Sequence, residues 1–308
     1  MSQQLWMTNS IGGYFGSDEL SKKVRHASQT MQRFRQFTDP EAAHGKNSGD
    51  TVLFDKISNI ATSGGTLVET STIPKSNFTI TQGSLVVAEY GNSIPNTLKA
   101  KTLAEVSVPD AITTVLKNDM SKVLDSAVAT QFQTSDYKAV CVNTATTSFA
   151  SAGTAATAAV ANMSDKNVRD LIDRMKTLNI PKVNGEYISI NSTNSLRGLY
   201  DFFEAKAQNT TMAPLAIGEV GKYYGCRFIE ETNVLSNILG TGDIFGESIF
   251  FGADAVREGI VIPEEIRIDI PKDFGRDQAT AWYALLGFVK TWDFSADGET
   301  RIIHVTST

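Results

Sequence analysis

Histidine and cysteine are the scarce residues of this chain. Cys141 and Cys226 are the only cysteines among 308 residues, too few for a disulfide framework, and a protein made in a reducing cytoplasm fits such usage best. The three histidines, His26, His44 and His304, form no HExxH or HxH spacing, and no Cys-x-x-Cys accompanies them, so no metal site is expected. Each His reads as an isolated surface or packing residue, and each Cys as a buried structural thiol. No apolar run approaches the ~20 residues of a membrane span, and no membrane partner is expected. The start, MSQQLWMTNSIGGYFGSDEL, lacks the basic-then-apolar order of a secretory signal. Positive charge is also short: 28 Lys and Arg face 34 Asp and Glu, a net charge of −6, which argues against a dedicated nucleic-acid reader. What remains is 41% hydrophobic and 20% charged. That is ample for a folded core, with a prior of about two domains at ~150 residues each.

Periodicity supplies the elements. Residues 18–37 read as a helix, capped by Ser17 or Asp18, with Leu20, Val24, Ala27, Met31 and Phe34 as its apolar stripe. From Leu20 to Phe37 it carries Lys22, Lys23, Arg25, Arg33 and Arg35 and no acid. Thr51–Ile57 and Phe78–Tyr90 read as long strands, with Gly83 marking a bulge or bend. The polar stretch 58–77 between them contains Gly64, Gly65, Glu69, Pro74 and Lys75. A compact domain rarely leaves so long a connection unstructured without a use for it. Pro109 and Asp110 open the strongest periodic segment, a helix to about Phe132. Tyr137–Val142 reads as a strand, and 144–161, with eight Ala and five Thr, as a surface excursion. Then come a helix at 165–178 capped by Ser164, a strand at 187–191, a helix at 193–207, a strand region at 219–230 and an apolar stretch at 244–251. Ile266, Ile268 and Ile270 alternate with Arg267 and Asp269 in a half-buried strand. Strands at 281–295 and 300–306 are expected to pair through the Asp297-Gly298 turn.

Catalytic signatures are sparse. GTGDIFG (240–246) misses the G-x-G-x-x-G spacing, and neither G-x-x-x-x-G-K-[ST] nor G-x-S-x-G occurs. The pairs Glu230-Glu231 and Glu264-Glu265 place neighbours on opposite strand faces, so neither makes a shared acid/base site. No catalytic residue and no cofactor is expected. Long strands, an extended polar connection, one long helix and a basic arm are parts with which a subunit reaches its neighbours. A soluble α/β enzyme using the 240–246 loop on a nucleotide is the alternative from another class.

Three stretches, GDTVLFDKI (49–57), TLVETSTIPKSNFTITQGSLVVAEYGNSIPNT (66–97) and DAITTVLKNDMSKVLDSAVATQF (110–132), followed at the end by RIIHVTS (301–307), make a series that resembles tailed-bacteriophage major capsid proteins of the Hong Kong 97 type, in the podovirus-like branch. In that family G-D-T-V opens the first strand of an extended loop, a Tyr-Gly pair (here Tyr90-Gly91) follows the second, and a spine helix comes next. The resemblance implies an α+β capsid fold. Residues 1–49 would be an N-terminal arm. Residues 50–135 and 263–308 would form a peripheral domain, with the extended loop at about 58–80 and the spine helix at about 105–134, and 136–262 an axial domain. It implies a coat protein that assembles with itself as pentamers and hexamers into an icosahedral virion shell around double-stranded DNA, in the host cytoplasm, with a scaffolding protein, a portal and cement or decoration proteins as further partners. Lys22, Lys23, Arg25, Arg33 and Arg35 would face the DNA. Gly64, Gly65, Glu69, Pro74 and Lys75 would lie in the inter-subunit loop. An encapsulin-type cargo shell is the alternative within the same fold.

Overall fold

The computed structural model describes residues 28–41, 49–58, 60, 64–104, 107–151, 153–154, 157–207, 221–271, 273–292 and 299–306. In chain order the strands and helices are β1 (Asp39–Glu41), β2 (Thr51–Ile57), β3 (Ile80–Val86), β4 (Ala88–Thr97), α1 (Leu98–Leu103), α2 (Val108–Gln133), β5 (Lys138–Asn143), β6 (Thr146–Ala150), α3 (Asp165–Thr177), β7 (Tyr187–Asn191), α4 (Thr193–Ala207), β8 (Lys222–Tyr223), β9 (Cys226–Glu230), β10 (Ser248–Phe251), β11 (Val256–Ile268), β12 (Asp277–Lys290) and β13 (Ile302–Val305). The strands form a seven-stranded sheet ordered β6-β5-β13-β10-β7-β9-β8, a four-stranded sheet ordered β1-β11-β12-β4, and the hairpin β2-β3. Two compact units result. One includes 90–121 and 264–284; the other includes 30–89, 122–263 and 285–308.

In the larger unit, every residue of β7 and β10 is buried, as expected of central strands covered on both faces. α3 covers one face with Val168, Leu171, Ile172 and Met175, the i, i+3, i+4, i+7 spacing of an amphipathic helix. Ser164 starts it through a capping box, accepting from the Asn167 N–H while the Asn167 side chain accepts from the Ser164 N–H, which satisfies two otherwise orphaned donors. On α2, Phe132 stacks against Phe34 and Phe251 with ring centroids 5.5 and 4.8 Å apart.

In the smaller unit, Asp119 on α2 accepts from the Trp282 indole N–H at 2.9 Å and the Asn92 amide at 3.0 Å. A Cβ on Gly91 would lie 2.8 Å from the Trp282 carbonyl oxygen, so the glycine of the Tyr-Gly pair permits the close approach of β4 to β12.

Several expectations are corrected. Residues 18–27 lie outside the described residues. Over 28–34 the chain is irregular, and a 3-10 turn at Arg35–Phe37 is the one helical stretch of 28–41. The predicted helix fails there because Asp125 takes the Phe34 and Arg35 amides and β1 follows at once, pairing in parallel with β11. The expected 78–90 strand is two strands broken at Val87. Gly83 marks no bulge: β2 and β3 pair without a register shift from Thr51↔Val86 to Ile57↔Ile80, and the Phe54 ring covers Gly83 across the hairpin, an aromatic shielding a bare glycine. The Ala/Thr-rich segment is not merely an excursion, since β6 pairs antiparallel with β5.

Asp297-Gly298 lies outside the described residues, but the strands flanking it belong to different sheets. β13 pairs with β10 and β5, while β12 sits between β11 and β4. Of the segment 263–308, residues 264–284 therefore belong with 90–121, and 285–306 belong with the unit containing β13. Finally, the alternating isoleucines are not half-buried: Ile268 and Ile270 are 66% and 80% exposed.

Candidate assembly surfaces

The β2–β3 hairpin is two-faced. Alternation turns Val52 and Phe54 inward with Leu85, and the Arg257 guanidinium lies 4.7 Å from the Phe54 ring centroid. Leu85 fits a slot cut by two glycines on β11 and β12, since a Cβ on Gly259 or Gly287 would come within 2.8 or 2.9 Å of it. The root of the hairpin is thereby fixed to the sheet. Its other face carries Leu53, Ile57, Ile80 and Val86, all exposed.

Beyond the hairpin every described residue from Gly64 to Thr79 is exposed, including Gly64, Gly65, Glu69, Pro74 and Lys75. The Ser58 N–H donates to the Thr79 carbonyl at 3.1 Å and the Ser71 N–H to the Val68 carbonyl at 2.9 Å. Leu67, Val68, Ile73 and Phe78 are among the exposed apolar side chains. Within the expected loop of 58–80, the described residues 64–79 are thus exposed along their length and include apolar side chains. Exposed apolar surface of this extent, on a two-stranded ribbon, is of the kind that elsewhere forms binding surfaces.

The basic run divides. Lys22, Lys23 and Arg25 lie outside the described residues. Arg35 donates from Nε and Nη2 to Glu258 Oε1 at 3.1 and 2.8 Å, while the Thr38 hydroxyl donates to Glu258 Oε2 at 2.7 Å. Glu258 is buried, so Arg35 neutralises an interior carboxylate. Arg33 lines an open groove of about 740 Å³ with Arg227, Glu230 and Lys222, the last ion-paired with Glu186 at 2.6 Å.

This segment is held from below by Asp125, whose carboxylate accepts the Phe34 N–H at 2.8 Å and the Arg35 N–H at 3.2 Å. Burial raises the pKa of Asp125, against the lowering effect of these hydrogen bonds. Asn233 donates to the Ser126 hydroxyl at 3.1 Å and accepts from the Thr30 hydroxyl at the same distance. Glu231, of the Glu230-Glu231 pair, is buried and accepts the N–H groups of Asn233, Val234 and Leu235; burial also raises its pKa.

Neither chemical candidate opens onto a site. The 240–246 loop doubles back through a Leu239–Phe245 bridge and leads into strand β10, not a helix. Between this loop and Cys141 there is about 20 Å³, room for about one water molecule and far too little for a nucleotide. Both thiols are buried, and burial pushes Cys141 up to about 12 and Cys226 well above its ordinary value, the opposite of an activated nucleophile.

His304 is buried but not isolated. Lys138 Nζ contacts its Nδ1 at 2.7 Å and donates to the Gln133 carbonyl at 2.9 Å. An ammonium can only donate, so Nδ1 accepts and the ring proton sits on Nε2, facing Glu247. Glu247 also accepts from the Gln133 amide at 3.0 Å and the Ser236 N–H at 2.9 Å. Burial alone would push this carboxyl up; the hydrogen bond from His304, with those other donors, outweighs it and holds it below the usual carboxylate range. No metal-binding cluster of His, Cys, Asp or Glu occurs among the described residues, and no described helix is long and apolar enough to cross a membrane.

No family model matches the sequence, and no curated protein matches it. Solved structures do match over nearly the whole chain. The head structure of Helicobacter pylori bacteriophage KHP40 superposes with a TM-score of 0.69 at 14% identity, covering 100% of this chain and 99% of that one. The capsid of Ralstonia phage GP4 gives 0.66 at 13%, covering 98% of each chain. The capsid of a native gene transfer agent particle gives 0.61 at 12%, covering 97% of each. The fold is therefore that of tailed-phage capsid proteins: the α+β, Hong Kong 97-like type that the sequence resembles.

Proposed function

We propose that this chain is the major capsid protein of a tailed phage, a structural subunit without catalytic activity that closes with copies of itself into an icosahedral virion shell. The observation that carries the reading is end-to-end superposition on a phage head protein, 100% of this chain on 99% of that one. The segment 58–80 and the apolar outer face of β2–β3 are the kind of surface such a subunit would lay across a neighbour. Many modest contacts suit a shell, because misplaced subunits can leave before closure.

In this reading 1–49 is the arm and 105–134 the spine helix. Residues 136–262, with β13 brought back into their sheet, surround the axis of pentamers and hexamers. The peripheral domain combines 50–135 with the chain from 263 to the crossover toward β13. Arg33, with Lys22, Lys23 and Arg25, faces packaged double-stranded DNA, and Arg35 serves mainly to neutralise Glu258. A scaffolding protein, a portal and cement or decoration proteins complete the partners.

Expression of the chain with its neighbouring gene products, followed by negative-stain microscopy, tests the reading. Icosahedral shells are expected, with nuclease-protected double-stranded DNA in particles from an infected or induced host. Shells loaded with protein cargo and free of DNA would favour the encapsulin alternative. A monomer stabilised thermally by nucleotides would favour the enzyme.

A further inference from the structure

The stretch GTGDIFG (240–246) cradles no nucleotide, yet the chain holds it closely. The Thr241 N–H donates to the Ala159 carbonyl at 2.9 Å, and Leu239 and Phe245 exchange backbone hydrogen bonds at 2.9 and 3.1 Å. Phe245 packs with Ala159 and Val140. A Cβ on Gly246 would lie 2.2 Å from the Ser195 nitrogen, so glycine is what lets the loop press this closely on the start of α4.

Under the loop is the small cavity of about 20 Å³, walled by β5, α4, β10, β13, the loop itself and the segment 159–163. Two polar atoms of residues on its wall, Asn162 Oδ1 and Ser248 Oγ, are buried and have no hydrogen-bond partner among the described residues. Leaving either unpaired would cost folding free energy, because each bonds water in the unfolded chain. A third wall residue, Ser195, donates its hydroxyl proton to the Ser192 carbonyl at 2.7 Å, which leaves its oxygen able to accept. A cavity of at least about 10–15 Å³ with two to four polar partners holds a water, whereas a wholly apolar one stays dry. Asn162 Oδ1 can only accept, and a hydroxyl can donate or accept, so a single water satisfies both orphaned atoms with one proton left for Ser195.

We propose that this cavity is a structural water site. One internal water donates to Asn162 Oδ1 and bonds the Ser248 hydroxyl, and so joins the 159–163 segment, on which the loop rests, to β10. The 240–246 loop is the lid of that site, and its glycines serve the fit of the lid. The inference goes beyond the shell-forming reading and does not depend on it.

The test uses the full chain. A density map fine enough to show ordered surface waters should show a peak within hydrogen-bond distance of Asn162 Oδ1 and Ser248 Oγ. Ser248→Ala and Asn162→Ala should each lower the melting temperature of the unassembled subunit by about 2–4 °C. The double variant should lose less than the two single losses summed, because one water serves both groups. Amide exchange at Leu239 and Phe245 should quicken in each variant as the lid opens more often. A map with no density in the cavity would overturn the site. So would strictly additive losses, or a rise in melting temperature for Ser248→Ala, the result expected when a dry cavity sheds an unpaired hydroxyl. If Asn162→Ala fails to fold, the map and the sign of the Ser248→Ala shift still decide. None of these outcomes bears on whether the chain builds shells, which microscopy reads separately.

Discussion

Glu247 and His304 show how single residues here serve cohesion more than chemistry. They come from β13 and the residue preceding β10, and Lys138 from β5 joins them, so one buried cluster ties neighbouring strands of the seven-stranded sheet. Glu247 is held below the usual carboxylate range, with burial opposing His304, Ser236 and Gln133 and losing to them. A carboxyl whose folded pKa is depressed adds stability that is complete above its unfolded pKa and is lost as pH falls through the folded value. Glu247→Gln should therefore cost about 1–3 kcal/mol at pH 7, the usual effect of breaking a buried charged hydrogen bond. The difference from wild type should shrink as pH is lowered below the ordinary carboxylate range. Urea midpoints of the unassembled subunit at neutral and acid pH check this, and a gap independent of pH would contradict the assignment. None of this could be read from the sequence, where His304 is one of three unpatterned histidines. Its partners lie 57 and 166 residues away along the chain.

At the scale of elements, the β2–β3 hairpin separates folding from reach. Its root is fixed through Leu85 between Gly259 and Gly287, whereas the described residues from Gly64 to Thr79 are all exposed. Deleting 62–73 should leave the subunit folded, with wild-type circular dichroism and a melting temperature within a few degrees, and should abolish closed shells in negative stain. Normal particles from this deletion would remove the inter-subunit role from the segment. The same contrast explains which elements were legible. α2 was readable because its apolar stripe repeats at the helical period from Ile112 to Phe132, and α3 because Ser164 caps a stripe of the same kind. β2 and β7 were readable from short apolar runs. Pairing was harder to read. Asp297-Gly298 carries a strong local turn preference, yet β13 takes long-range partners in β10 and β5, and sheet pairing overrides a dipeptide. The 28–37 stripe was helical in period, but its amides were claimed by Asp125, 91 residues from Phe34. β6 was hidden because Ala and Thr give no alternating signal. The exposed face of β2–β3 read as ordinary strand, since a sequence does not state whether a second surface covers it.

For the whole molecule, the proposed reading raises the question of how an acidic subunit would tolerate packaged DNA. The net charge of −6 is an average. Between Leu20 and Phe37 the chain has five cations and no acid. Of these, Arg35 is consumed by Glu258, and Arg33 shares its groove with Lys222 and Arg227. If this surface faces packaged DNA, its cations lower the repulsion between shell and genome, and the effect is sequence-independent and screened by salt. Substituting Lys22, Lys23 and Arg25 together by Glu should then leave empty shells as heat-stable as wild type. Full particles should be destabilised, releasing DNA at lower temperature. The deficit should be largest at low ionic strength and should narrow above about 0.5 M salt, where the Debye length falls toward 3 Å. Heating full and empty particles side by side, with a dye reporting DNA release, makes the comparison. Equal loss of stability in full and empty particles would show that the three cations hold subunits together. No loss in either would remove them from both roles.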